Sequence, residues 1–123
     1  MTIRELYQTI EGDYDQAIRT LRMDKLLDKH IRKLAHNGVI ERLFAAGDVM
    51  DPNELFETAH AIKGVTANLG LVKLSDAAAD ITEEFRPGST RKMSDEEVKE
   101  RIENIREMYK VTIEGIQRYE ETN

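Results

Sequence analysis

Apolar residues recur at intervals of three and four along nearly the whole chain, and strand-like alternation is absent. The pattern therefore predicts helices throughout. "TIRELYQTI" predicts a short helix ended by Gly12. "DYDQAIRTLR" opens on Asp13, a good N-cap, and carries Tyr14, Ala17, Ile18 and Leu21 on one face. "MDKLLDKHIRKLAH" continues with Leu26, Leu27, Ile31 and Leu34 until Asn37-Gly38 interrupts it. "VIERLFAA" then resumes for two turns, and "GDVMD" reads as a turn. Asp51-Pro52-Asn53-Glu54 is a clear helix start, with an Asx cap, proline at the first helical position and Glu54 placed for a capping box. That helix is expected to run to about Leu69 and stop at Gly70. "LVKLSDAAADITEEF" spaces Leu71, Leu74, Ala78, Ile81 and Phe85 helically and ends at Pro87-Gly88. Ser94 and Glu97 form another capping box, from which the longest helix runs to about Glu121 along a seam of Val98, Ile102, Ile105, Tyr109, Ile113 and Ile116.

Four helices with short connections and one apolar stripe each predict an all-α fold, an antiparallel up-down four-helix bundle with additional short N-terminal helices. Residues 1–123 are expected to form a single helical domain, with N-terminal cap helices over about 2–22 and the bundle over about 24–121. Each fully buried Leu or Ile contributes roughly 1.5–3 kcal/mol to such a core. A composition of 40% hydrophobic and 34% charged residues lies within the globular range.

Charge and composition narrow the chemistry. A formal net charge of −6 argues against nucleic acid as a partner, which would call for a basic stripe. The chain has no cysteine, which excludes disulfides, thiolate metal sites and thiol catalysis. No apolar run is long enough to span a bilayer, so no membrane partner is expected. "MTIRELYQTI" lacks the layout of a signal peptide, and a soluble cytoplasmic protein is the expectation.

The stretch "AHAIKGVTANLG" holds the most informative chemistry. His60, Lys63 and Gly64 stand at i, i+3 and i+4 within a predicted helix, where a glycine costs roughly 1 kcal/mol relative to alanine. At about 100° per residue, Leu55, Ile62, Thr66 and Leu69 form the inward stripe, flanked by Thr58 and Val65. His60 falls nearly opposite. Asn53, Phe56, Glu57, Lys63, Gly64 and Ala67 share its side. The core stripe is complete without the histidine, so His60 is expected to be exposed. An aromatic and two small residues around it make a shallow docking surface rather than an ordinary charged helix exterior.

Imidazole has an unperturbed pKa of about 6.5 and is largely neutral at pH 7, which leaves a ring nitrogen with a lone pair able to attack a phosphoryl group. Lys63, one turn on, can direct an ammonium at the phosphoryl oxygens. Gly64 removes a side chain that would hold a partner's backbone away. By ordinary residue frequencies H-x-x-K-G arises by chance in on the order of one chain in a hundred of this length, so its setting on the outer face of a bundle helix adds most of its weight.

"AHAIKGVTANLG" resembles the signature of histidine-containing phosphotransfer (HPt) domains, and the resemblance extends over most of the chain: the helix-loop-helix after "AAGD", the small residues between Lys63 and Leu69-Gly70, the long terminal helix and the short N-terminal helix. It implies a phosphorelay intermediate, a covalent phosphocarrier with no kinase activity of its own. His60 would be the phosphoacceptor through Nε2, Lys63 the charge partner of the phosphoryl group and Gly64 the point of partner approach. Phe56, Ala59 and Ala67 would join the docking surface. The implied partners are response-regulator receiver domains and/or a hybrid histidine kinase on another chain. No cofactor is expected on this chain, and Mg²⁺ is expected from the receiver. Antiparallel packing would bring residues 76–83 near His60, but their polar members are mostly acidic and none is assigned to the site.

Two other readings use the same residues. Glu57 and His60 match the Glu-x-x-His spacing of di-iron bundles, but no second copy exists and both are expected to point outward. His30 and His36 lack lysine and glycine at +3 and +4 and read as helix-surface or helix-end residues. The rival function is a non-catalytic helical adaptor that binds receiver domains or other signalling proteins without phosphotransfer.

Overall fold

Cap chemistry written into the sequence starts the helices. Thr2 and Glu5 form a reciprocal capping box, and the Asp13 carboxylate accepts the Gln16 N–H at 3.0 Å. Asp51 accepts the N–H groups of Asn53 and Glu54 at 3.1 and 3.2 Å, with Pro52 in the first turn. Ser94 accepts the Glu97 N–H at 3.1 Å while Glu97 accepts that of Ser94 at 3.3 Å. The computed structural model describes residues 1–122 and places in them α1 (Ile3–Thr9), α2 (Tyr14–Leu21), α3 (Asp24–Leu34), α4 (Val39–Val49), α5 (Pro52–Asn68), α6 (Val72–Glu84) and α7 (Asp95–Thr122). No strand occurs among the described residues, and the chain is all-helical. Asn123, the last residue of the expected domain, lies outside them.

Two boundaries differ from the sequence reading. The first helix ends at Thr9 rather than at Gly12, with Glu11 in the left-handed region at φ 57°. Gly12 is kept small by packing, because a Cβ there would lie 2.7 Å from the Tyr7 ring. "GDVMD" is not all turn: α4 continues through Gly47 to Val49, and Met50 makes the reversal at φ 52°. A Cβ on Gly47 would sit 2.6 Å from Ile102 Cδ1, so this glycine lets α7 approach rather than ending α4.

Helix α5 packs against α4 and α6, and both of these pack against α7, closing a cycle. Helices α1 and α3 also lie on α7, and α2 rests on α3 and α5. All seven helices contribute to one core, including Leu6, Ala17, Leu27, Leu43, Leu55, Ile81 and Ile105, all fully buried. The buried threonines do not break it. Thr58, Thr66, Thr82 and Thr112 each donate to the carbonyl four residues back, at 2.6–3.0 Å.

The turn from α5 to α6 is held from outside. The buried Tyr7 hydroxyl donates to the Leu69 carbonyl at 2.6 Å, and the Asp13 N–H donates to the Gly70 carbonyl at 2.8 Å. Gly70 has φ 68°, and a Cβ on it would lie 2.3 Å from the Asp13 carbonyl oxygen. Both the left-handed backbone and the contact require glycine. The first two helices thereby lock the far end of α5.

The other end of α6 is clamped by a buried carboxylate. Glu84 accepts the N–H groups of Lys92 and Met93 at 2.9 and 2.7 Å, with the Arg91 guanidinium 3.5 Å away. Burial by itself would raise this carboxyl, but the two backbone donors and Arg91 outweigh it and hold the group below the usual glutamate range. Its folded pKa is depressed, so its contribution to stability is present above the unfolded value and is lost as pH falls through the folded one. Glu84→Ala is expected to cost about 1–3 kcal/mol at pH 7 by leaving two N–H groups unpaired. Urea denaturation at pH 7 and below about pH 4.5 should show that difference shrinking in acid. A variant as stable as the parent at pH 7 would remove the clamp from the account.

Candidate functional site

Helix α5 buries Leu55, Thr58, Ala59, Ile62 and Thr66. With one side committed to the core, helical geometry carries His60 to the outside, where it is exposed. Its ring stacks on Phe56, one turn earlier, with centroids 5.7 Å apart and planes 10° from parallel. No side chain among the described residues hydrogen-bonds the imidazole or pairs with it within 4 Å.

Lys63 is half-buried and makes no ion pair within 4 Å among the described residues. Its carbonyl oxygen accepts the Ser75 hydroxyl of α6 at 3.3 Å, which ties the two helices together at that level. Gly64 is exposed, and a Cβ added to it would meet nothing within 4 Å. Neither packing nor a positive φ requires glycine at position 64. Phe56 and Ala67 are half-buried on the same side of the helix.

Ala59 corrects the sequence reading. Expected on the docking surface, it is fully buried in the core and out of a partner's reach. Ala59 and Ala61 flank His60 at mirror-image angles on the helix, yet Ala59 is buried and Ala61 exposed. Helix α6 covers one flank of α5 and leaves the other open, as the Ser75 contact shows.

That neighbouring helix adds charged groups that sequence reasoning did not place in the site. Arg86, just past the end of α6, has its guanidinium 5.5 Å from the centroid of the Phe56 ring. Its Nε and a terminal nitrogen donate to the two carboxylate oxygens of Glu83 at 3.1 and 2.7 Å, a bidentate fork. The Arg86 hydrogen bond is the main cause holding the Glu83 carboxyl below its usual range, and the charges of Lys63 and His60 add to it. His60, Phe56, Lys63, Glu83 and Arg86 thus form one cluster. The signal for it was the short turn at Gly70, which folds α6 back along α5. Glu83 ends the window expected beside His60, and Arg86 lies three residues beyond it.

The other candidates lie elsewhere. His36 Nε2 sits 3.4 Å from Glu120 on α7, and His30 is half-buried on α3. Glu57 is exposed. Among the described residues no group of three or more His, Asp or Glu side chains is placed to hold a metal ion. One glutamate, itself engaged by Arg86, is not a donor set for a divalent cation at His60. Among the described residues no helix is long and apolar enough to cross a membrane.

This cluster presents an imidazole to the outside beside an ammonium, with open space one turn away. Comparison with curated proteins and with solved structures returned no match. The profile of one family, described as the Hpt domain, matches residues 3–112 of the 123, nearly the whole chain. With that match and an outward histidine on the central helix, the chain belongs to the Hpt domain family.

Proposed function

We propose that this chain is a phosphorelay intermediate that accepts a phosphoryl group on His60 from a receiver-domain aspartate and passes it to another receiver. Membership in the Hpt family supports a role in histidine phosphotransfer, as a phosphocarrier module rather than a kinase. The observation that carries the assignment to His60 is the pairing of an exposed imidazole with an exposed glycine that has no structural reason to be one.

In this reading the Nε2 lone pair forms the N–P bond as the P–O bond of the aspartyl phosphate breaks. The electron pair leaves on the aspartate carboxylate, and the Nδ1 proton stays on the ring during the transfer. Phe56 holds the imidazole plane by stacking. Lys63 faces the incoming negative charge. The open surface at Gly64 admits the partner's backbone, and Phe56 and Ala67 supply apolar contact around it. Mg²⁺ belongs to the receiver, together with its acidic pocket. In this reading the chain supplies an accessible, unpaired nucleophile and the surface around it, and the receiver supplies the rest of the chemistry.

We read the cycle of α4, α5, α6 and α7 as an antiparallel up-down four-helix bundle. The short connections at residues 50–51 and 69–71 support it, since they force neighbouring helices to reverse. The proposed setting is the cytoplasm, where receiver domains and a hybrid histidine kinase would be the partners.

His60→Gln is expected to keep the helical circular dichroism of the parent and to take up no phosphoryl group from a phosphorylated receiver. Undiminished uptake in that variant would remove His60 as acceptor. Receiver binding by the parent without any uptake would favour the adaptor reading. Gly64→Gln is expected to slow transfer at least about tenfold by obstructing approach. Its thermal stability should be equal or higher, by up to about 1 kcal/mol, because helix propensity improves. A destabilised Gly64→Gln with normal transfer would reverse the argument for this position.

A further inference from the structure

The charged groups around His60 are committed unequally. Arg86 lies against Phe56, on which His60 stacks, but its guanidinium is already forked by Glu83. Lys63 has no such partner within 4 Å among the described residues. Glu83 is exposed, and the charges of Lys63 and His60 add to Arg86 in lowering its carboxyl, so it lies within electrostatic reach of both. A phosphoryl group on His60 would bring about −1.5 to −2 charges into this cluster at neutral pH. Two cations and one anion would then surround it, and the anion engages one of the cations.

Resting on the phosphocarrier reading above, we propose that Glu83 sets the transfer equilibrium of His60. Its carboxylate opposes the phosphorylated state by like-charge repulsion and by keeping Arg86 engaged, which biases the histidine toward passing the group on rather than storing it. Glu83 is a positioning residue here. It touches neither the reacting nitrogen nor the phosphorus, and it acts through the local field and through Arg86. Without it, Arg86 would be available to the phosphoryl oxygens, for which a planar guanidinium is well suited. An acidic residue beside a phosphate acceptor thereby has a use: a carrier must not hold its cargo too tightly.

The test needs no partner protein. The chain, carrying His30→Gln and His36→Gln so that one acceptor remains, is equilibrated with N-phosphoimidazole and imidazole. The ring nitrogen of His60 forms its N–P bond as that of the donor breaks, and the electron pair stays on the released imidazole. The same bond type is made and broken, so the equilibrium constant, read by phosphorus NMR, reports the surroundings of His60. Glu83→Gln is expected to raise it about threefold to fivefold at low ionic strength, the scale of a single exposed charge interaction. That gain should shrink toward one in about 1 M salt, where the Debye length is about 3 Å. Arg86→Gln is expected to lower the constant, because it leaves Glu83 unopposed. The double variant should fall between the two.

An equilibrium constant unmoved by Glu83→Gln at low salt would overturn the proposal while leaving His60 as acceptor. A gain that does not respond to salt would overturn it as well, since repacking rather than charge would be the cause. Failure of the parent chain to form any phosphohistidine would take away the phosphocarrier reading itself, and this inference with it.

Discussion

Burial of one stripe of α5 is the constraint on which the rest depends. Leu55, Thr58, Ala59, Ile62 and Thr66 are all in the core, and the helix is rigid enough that their direction decides every other side chain on it. His60 faces outward for this reason and not because of any interaction of its own. The two buried threonines cost little, since each satisfies its hydroxyl on the backbone of the preceding turn. An imidazole with no hydrogen-bond or ion-pair partner among the described residues is thus held in the open by residues on the opposite side of its helix.

Around that histidine the molecule offers complementary but incomplete interactions. Phe56 restrains the ring by stacking, Lys63 places a positive charge one turn away, and Gly64 leaves room. Helix α6 then adds a cation and an anion already joined to each other. The surroundings favour added negative charge without being fully committed to it. A deeper or more basic pocket would hold a phosphoryl group more firmly and release it more slowly, because each additional exposed cation shifts the balance by up to about 1 kcal/mol.

Buried hydrogen bonds hold both ends of α6. At one end of α6, Tyr7 and Asp13 secure the turn at Gly70 through its carbonyl groups. At the other, the buried Glu84 gathers the backbone of the chain entering α7. The first tie comes from the far N-terminal helices and fixes the turn between α5 and α6, while the second joins the end of α6 to the segment that leads into α7. Between them α6 buries Leu74, Ala78 and Ile81 in the core and leaves Glu83 exposed.

Much was legible from order along the chain alone. Capping boxes, the proline at 52 and the apolar spacing act within about four residues, so the sequence by itself determined the helices, the outward direction of His60 and its company of Lys63 and Gly64. What surrounds α5 is decided by other helices. Only the tertiary structure decided that α6 covers the flank carrying Ala59 and leaves the one carrying Ala61 open. It also decided that Gly47 serves the approach of α7 rather than a turn, and that Glu83 and Arg86 meet beside His60. Local periodicity tells which way a side chain leaves its own helix, but what it meets there depends on the register and tilt of neighbours, which short-range patterns do not encode.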